Sequence, residues 1–430
     1  MKVSKIALVV ALALGGASVV ATSASAQRAG VTREKKEDKQ SKQQEATFTS
    51  SSGAKLNLSK AERAAMAPLV TALQAQDWNA ARAALPAAQS AAQGTDARYN
   101  VAALQLKIGL GLNDVAMQSA AIDALIASGG VPAANLPVLY RNQAALAQQS
   151  NNSAKAEAAL TKWMELEPNN PDALVSLAEN KAAGRKPAEA VALLERAIAA
   201  RKAAGQQVPD SWYKRGLKFA YEGKMLPQSV KFSQGLVQAY PTKENWRDSL
   251  LIYRDLNRTD PKTNLDVLRL MRAAKALSGE RDFYELADTL NNGGLPGESK
   301  AVLDEGISMR MVDGNKAAFR DLLNNANGKV AEDKRALTGL EAKAKAAPGG
   351  TQALSIGDAY YGYGNYAKAV ELYRAAIQKG GVDMSVANTR LGMALAQAGQ
   401  KAEAEAAFRA VSGPRSDLAS YWLIWLNQRG

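Results

Sequence analysis

A recurrence near the C-terminal end constrains this chain more than any other feature. LSIGDAYYGYGNYAKAVELYRAAI aligns with NTRLGMALAQAGQKAEAEAAFRAV so that Gly357 falls on Gly392, 35 residues later. In the same register Ala359 falls on Ala394, Gly364 on Gly399, Ala369 on Ala404, Tyr373 on Phe408 and Ala376 on Val411. Further back, Leu177, Ala178, Ala190, Leu194 and Ala197 keep these offsets. Ahead of them come Ala156, Leu160, Trp163 and a terminating Pro168, with Ala156 and Ala190 separated by 34 residues. A period of this size marks one supersecondary unit that cannot bury its apolar face alone, so neighbouring units must stack. From Leu58 onward Ala-rich runs of helical period alternate with short breaks at Gly, Pro or Asn, and no segment has a period of two. The expected class is all-α.

These residues resemble the tetratricopeptide repeat, a helix-turn-helix of about 34 residues. The units at 171–205, 350–381 and 384–413 carry the pattern most fully. Those at 280–313 (Leu286, Ala287, Leu290, Gly294, Ser299, Leu303, Gly306) and 62–91 (Trp78, Ala81, Leu85, Ala88) carry it in part. Units at 97–128, 208–241, 243–277 and 314–347 are degenerate. The resemblance implies a right-handed α-solenoid of nine or ten units over residues 58–413. Its concave groove would be lined by the first helix of each unit, with 414–430 as a capping helix.

The N-terminus reads differently. Lys2 and Lys5, the apolar run Ile6 to Leu14, and Ala24-Ser25-Ala26 form a secretory signal over residues 1–26, which makes Gln27 the expected first mature residue. No Cys stands at the cleavage point to accept a lipid. Residues 27–57 are polar and nearly free of large apolar side chains, the composition of a disordered tether. The expected location is the periplasm, with no transmembrane segment in the mature chain.

The sequence has neither His nor Cys, which removes Ser-His-Asp and Cys-His nucleophiles and the common zinc sites. The remaining motifs reduce to structure. Gly362-Tyr363-Gly364 lacks the preceding strand and following Lys of a phosphate loop and reads as an inter-helix turn, as does Gly109-Leu110-Gly111. Ser52 and Lys55 have Ser-x-x-Lys spacing but lie in the polar tether, without the partner motifs. The acidic pairs Asp304-Glu305 and Glu403/Glu405 read as solvated helix faces. The expectation is a non-enzymatic protein with no cofactor and no metal.

Charge is unevenly placed. The net charge is +13, and residues 195–281 hold 17 basic and 9 acidic side chains, while 58–194 and 282–430 are balanced. Registering units on Gly216, Leu250 and Ala287 brings Tyr213, Tyr221, Arg247, Arg254, Arg281 and Tyr284 to the surface that the tetratricopeptide family uses as its groove. The 350–381 unit adds Tyr361. Arg and Tyr are the side chains that dominate binding hot spots. The Lys/Asn carboxylate clamp of some family members is not matched: Val175 and Glu179, Leu354 and Asp358, and Thr389 and Met393 stand there. The expected function is therefore an envelope scaffold that binds a protein or peptide, an acidic one included. The alternative is an accessory factor for polysaccharide or cell-wall assembly that binds acidic glycan. Nucleic acid is not an expected partner, because no recognised motif for it is present.

Overall fold

The computed structural model describes Phe48, Ser50 and residues 56–429. The signal and nearly all of the tether lie outside the described residues. Phe48, however, is buried with Leu58, Met66 and Leu69 in the first core cluster, so this tether residue packs on the folded chain.

The described residues form twenty α-helices, without strands. The chain divides into two compact units between Gln207 and Val208. The first unit contains four helix pairs: α1 (Lys60–Gln74) with α2 (Trp78–Ala91), α3 (Thr95–Gly111) with α4 (Val115–Ala127), α5 (Leu136–Gln149) with α6 (Ser153–Leu166), and α7 (Pro171–Ala183) with α8 (Pro187–Ala203). In the second, α9 (Asp210–Glu222) pairs with α10 (Leu226–Ala239), and α11 (Lys243–Asn257) with α12 (Pro261–Ala273). Next come α13 (Gly279–Asn292) with α14 (Pro296–Ser308), a lone α15 (Ala317–Ala346), and α16 (Thr351–Gly362) with α17 (Tyr366–Lys379). Last are α18 (Met384–Gln397) with α19 (Lys401–Arg409), and α20 (Ser416–Asn427).

A short turn joins every pair. Each contains a single left-handed residue: Gln76, Asn113, Asn151, Arg185, Lys224, Arg258, Gly294, Gly364 and Gly399. In eight of the nine pairs the second helix starts with a capping side chain, a proline or both, and α19 has neither. Asp77, Asp114, Asn152 and Asn365 accept a backbone N–H with their side chains. Elsewhere Pro187, Pro227, Pro261 or Pro296 sits in the first turn, where a missing N–H costs nothing. Gly364 belongs to this series with φ +74°, so the Gly-Tyr-Gly stretch is an inter-helix turn.

In three pairs of the second unit, a glycine on the first helix accepts an aromatic ring from the second. A Cβ on Gly357 would lie 2.7 Å from Tyr373, and one on Gly392 would lie 2.6 Å from Phe408. These are the positions the recurrence aligns. Gly294 and Gly364 are 70 residues apart, two repeat lengths, and α15 fills the place of a pair. The degenerate unit expected at 314–347 is thus a single helix of 30 residues. Its ends are anchored by Phe319, Leu322 and Ala326 and by Leu337, Glu341 and Ala344, while Gly328 between them meets no neighbour within 4 Å.

The second unit closes on itself. α20 caps α19, with Trp422 stacked on Phe408 at 5.8 Å. It also returns to α10 and α11. The Tyr421 and Ser233 hydroxyls bond, Gln428 Nε2 donates to Val237 O at 2.7 Å, and Tyr253 meets the Tyr421 ring edge-on at 5.6 Å. Enclosed in this path is α12, which buries Leu265 through Met271 without a break. A helix buried all round belongs to the interior of a packed body.

Two predictions follow from these contacts. Gly392→Leu forces the ring of Phe408 aside and lowers stability by about 1–3 kcal/mol, whereas Gly328→Ala in open helix raises it by roughly 0.5–1 kcal/mol; urea titrations of the two variants measure both. At the start of the first unit, the Glu62 carboxylate accepts from the N–H groups of Gly94, Gln93 and Ser59, and the Glu62 N–H donates to the Ser59 hydroxyl in a capping box. These bonds, led by that of Gly94 and opposed by burial, hold its carboxyl at about 2. A depressed carboxylate stabilises the fold above its unfolded value and loses that contribution as pH falls toward 2. The melting-temperature gap between wild type and Glu62→Gln should therefore be full at pH 6 and close as pH drops from about 5 to about 2.

Candidate functional site

Chemistry concentrates in the second unit, and its centre is a charge on the enclosed helix. Asp266 has no exposed surface. Its Oδ1 accepts from Arg269 Nη1 at 3.2 Å and from Arg390 Nε at 3.4 Å, and its Oδ2 accepts from Arg415. Arg269 makes a two-pronged bond to Glu298, at 3.0 and 2.5 Å. Arg390 also bonds Asp358, which accepts the Tyr373 hydroxyl at 2.7 Å. Three carboxylates face three guanidiniums, drawn from α12, α14, α16, α18 and the turn at Gly413–Arg415. Burial pushes the Asp266 carboxyl up, but Arg390, Arg415 and Arg269 more than reverse it and hold it below the usual Asp value. Burial wins at Asp358, whose carboxyl sits above that value despite Arg390 and Arg269.

Two hollows flank this network. The first, about 700 Å³, lies along α11 and α13 and is lined by Arg247, Arg254, Arg258, Arg281, Asp255, Asp282 and Glu285. Arg247 bonds Asp282, with Nη2 to Oδ1 at 3.3 Å, and reaches Ala276 O. Arg254 bonds Glu285 and donates to Asn264 Oδ1 at 2.7 Å. Arg258 and Arg281 are exposed and carry no ion pair among the described residues. The second, about 790 Å³, opens beside α12 between α14 and α16 and is lined with Trp246, Tyr361, Tyr366 and Trp425.

The expected groove residues separate in space. Arg247, Arg254 and Arg281 do share one hollow, and Tyr284 stands in the adjoining one with Arg254 and Arg281, its ring edge-on to Phe319 at 5.7 Å. Tyr221 borders a neighbouring hollow, its hydroxyl donating to Asp255 at 2.8 Å. Tyr361 lies in the second cavity, with the Arg269 guanidinium 5.1 Å above its ring. Tyr213 requires a correction. It is 4% exposed and packs into the pair, where a Cβ on Gly235 would meet its ring at 2.6 Å. It precedes Gly216 by three residues, which on a helix puts both on one face, and Gly216 is the inward-facing contact to Phe232.

Sequence reasoning missed the buried ions. The available signal was Asp266 and Arg269 inside the apolar segment LDVLRLM, where every neighbour calls for burial. Among the described residues no cluster of three or more His, Cys, Asp or Glu could hold a metal, and no helix is long and apolar enough to cross a membrane.

Nine helix pairs, each joined by a short turn with one left-handed residue, define a tandem helix-turn-helix repeat architecture. The solved structures to which this chain is similar include tetratricopeptide repeat proteins. One is from Parabacteroides merdae, at 11% identity and TM-score 0.31 over 62% of this chain and 99% of that one. Others are the tetratricopeptide domain of P58(IPK), at 13% and 0.24 over 76% and 99%, and the TPR2AB domain of yeast Sti1 in complex with pHSP90, at 11% and 0.25 over 69% and 100%. No family model and no curated protein matches the chain.

Breaking the buried network on one side should be costly. Arg390→Met takes one of three guanidinium partners from Asp266 and the bonded one from Asp358, and is expected to destabilise the second unit by about 3–5 kcal/mol. Pairing it with Asp358→Leu should recover part of that loss, and denaturant titration of the single and double variants reads the difference.

Proposed function

We propose that this protein is a non-enzymatic binding scaffold, and that the arginine hollow along α11 and α13 engages an extended acidic polypeptide segment. One observation carries the reading. Arg258 and Arg281 stand exposed at the same hollow without an ion pair among the described residues, next to Tyr284, which is 38% exposed. Two guanidiniums available for bidentate pairing beside a rigid aromatic surface suit a carboxylate-bearing chain. The absence of His and Cys from the sequence agrees with a binding role, and the N-terminal pattern agrees with work in the periplasm.

The reading also decides which arginines to test. Arg247 and Arg254 already serve Asp282 and Glu285, so reversing their charge would set carboxylates against carboxylates and damage the fold. Arg258→Glu with Arg281→Glu avoids this. Fluorescence anisotropy with a labelled 12-residue Glu/Asp-rich peptide should show binding that weakens with salt and falls roughly tenfold or more in the double variant. Unchanged affinity in that variant rejects the site. Tighter, Arg-dependent binding of polygalacturonate than of the peptide transfers the site to acidic glycan.

A further inference from the structure

The second cavity has no part in that reading. Its wall is built by the closure of the unit: Trp246 from α11, Arg269 and Arg272 from α12, Tyr361 from α16, Tyr366 from α17 and Trp425 from α20. None of these helices makes it alone. At about 790 Å³ it falls within the usual size of small-molecule sites, roughly 300–1,000 Å³.

The wall has two chemistries. Five aromatic side chains, Trp246, Tyr361, Tyr363, Tyr366 and Trp425, supply the apolar part. Trp246 and Trp425 are nearly buried, while Tyr361 and Tyr366 are half-buried and meet edge-on at 5.4 Å. The charged part is unbalanced, because Arg269, Arg272, Lys275 and Arg429 face only Glu298 and Glu305. Glu298 is already held by Arg269 through both oxygens. Arg272 spends only Nε on Glu305, at 2.7 Å, which leaves both Nη groups without a protein partner among the described residues. Lys275 is exposed and has no ion pair among the described residues. Arg429 lies 4.7 Å over the Trp425 ring, in a cation–π contact that an entering anion can compete for. The spare positive charge therefore sits at the mouth, and the rings sit behind it.

We infer that this cavity is a binding site for a small amphiphilic anion. A flat, ring-shaped body lies against Tyr361, Tyr366 and the tryptophans, and one carboxylate or phosphate head is held by Arg272, Lys275 and Arg429. Carboxylate and phosphate share this chemistry, and the test separates them.

Phenylacetate and phenyl phosphate are the probes, titrated into the full chain by isothermal calorimetry with tryptophan fluorescence as a second readout. Phenylacetamide and inorganic phosphate are the controls. One or both probes should bind saturably at one site, at least tenfold tighter than either control, and the tighter probe identifies the head. Lys275→Glu with Arg429→Glu, both exposed, should weaken binding tenfold or more. Ala301→Trp leaves every charge in place but fills the cavity, and should abolish binding. If Ala301→Trp lowers the melting temperature, Ala301→Met takes its place. The inference fails if neither probe saturates, if inorganic phosphate binds as tightly as the probes, or if filling the cavity leaves affinity unchanged. Peptide binding by the Arg258/Arg281 hollow is measured separately, so either site can fail alone.

Discussion

Asp266 is the constraint on which the second unit turns. Desolvating one carboxylate costs on the order of several kcal/mol, and only well-placed partners offset it. Those partners come from far along the chain: Arg390 is 124 residues away and Arg415 is 149. The charge on α12 is therefore satisfied only when α18 and the turn before α20 have come back to it. An open arrangement of the same helices would leave it with Arg269 alone, a partner it shares with Glu298. The network adds little net stability over an apolar core, yet it discriminates strongly between the closed path and any other. Closure in turn assembles the aromatic cavity, because Arg269, which anchors one side of the network, also lies over Tyr361.

The same logic operates one repeat at a time. Arg247 pairs with Asp282 at a separation of 35 residues, Arg254 with Glu285 at 31, and Arg272 with Glu305 at 33. Tyr221 reaches Asp255 at 34, and in the first unit Lys155 reaches Asp123 at 32. These separations are one repeat length, so the pairs run as a ladder between adjacent helix pairs. Most are partly exposed, and each contributes about 0–1 kcal/mol to stability, the usual measure of surface pairs. Their larger effect is on register, since a slipped unit places like charges together.

Much of this architecture was legible in residue order. Gly357 and Gly392 with Tyr373 and Phe408 give the helix pair, its contact and its period, because only a hydrogen on Cα leaves room for the ring. The turns were less legible. Gly294, Gly364 and Gly399 announce a left-handed residue, but Gln76, Arg185, Lys224 and Arg258 take the same conformation without any compositional mark. There the packing of the two helices outweighs a local cost of about 1 kcal/mol. α15 was illegible for a related reason. Its Asn-Asn-Ala-Asn-Gly run reads as a break, yet its two anchored ends hold the intervening turns in one helix. Tyr213 was misplaced because a groove register borrowed from a family says nothing about which neighbour has made room for a ring, and Gly235 has.

The charge surplus of residues 195–281 illustrates the limit of counting by segment. Its arginines point one repeat forward, to acids that belong to the balanced segment after it. Arg247, Arg254, Arg269 and Arg272 thus spend half of the surplus of eight inside the fold, and a few of the remaining basic side chains stand at the two hollows. Around the first hollow these are Arg258 and Arg281, and around the second they are Lys275, Arg429 and the unused edge of Arg272. A diffuse basic face attracts any polyanion. Isolated guanidiniums beside rings select instead for a ligand whose charge and apolar surface have the right separation. The protein's discrimination among anions should accordingly depend on ligand shape more than on net charge.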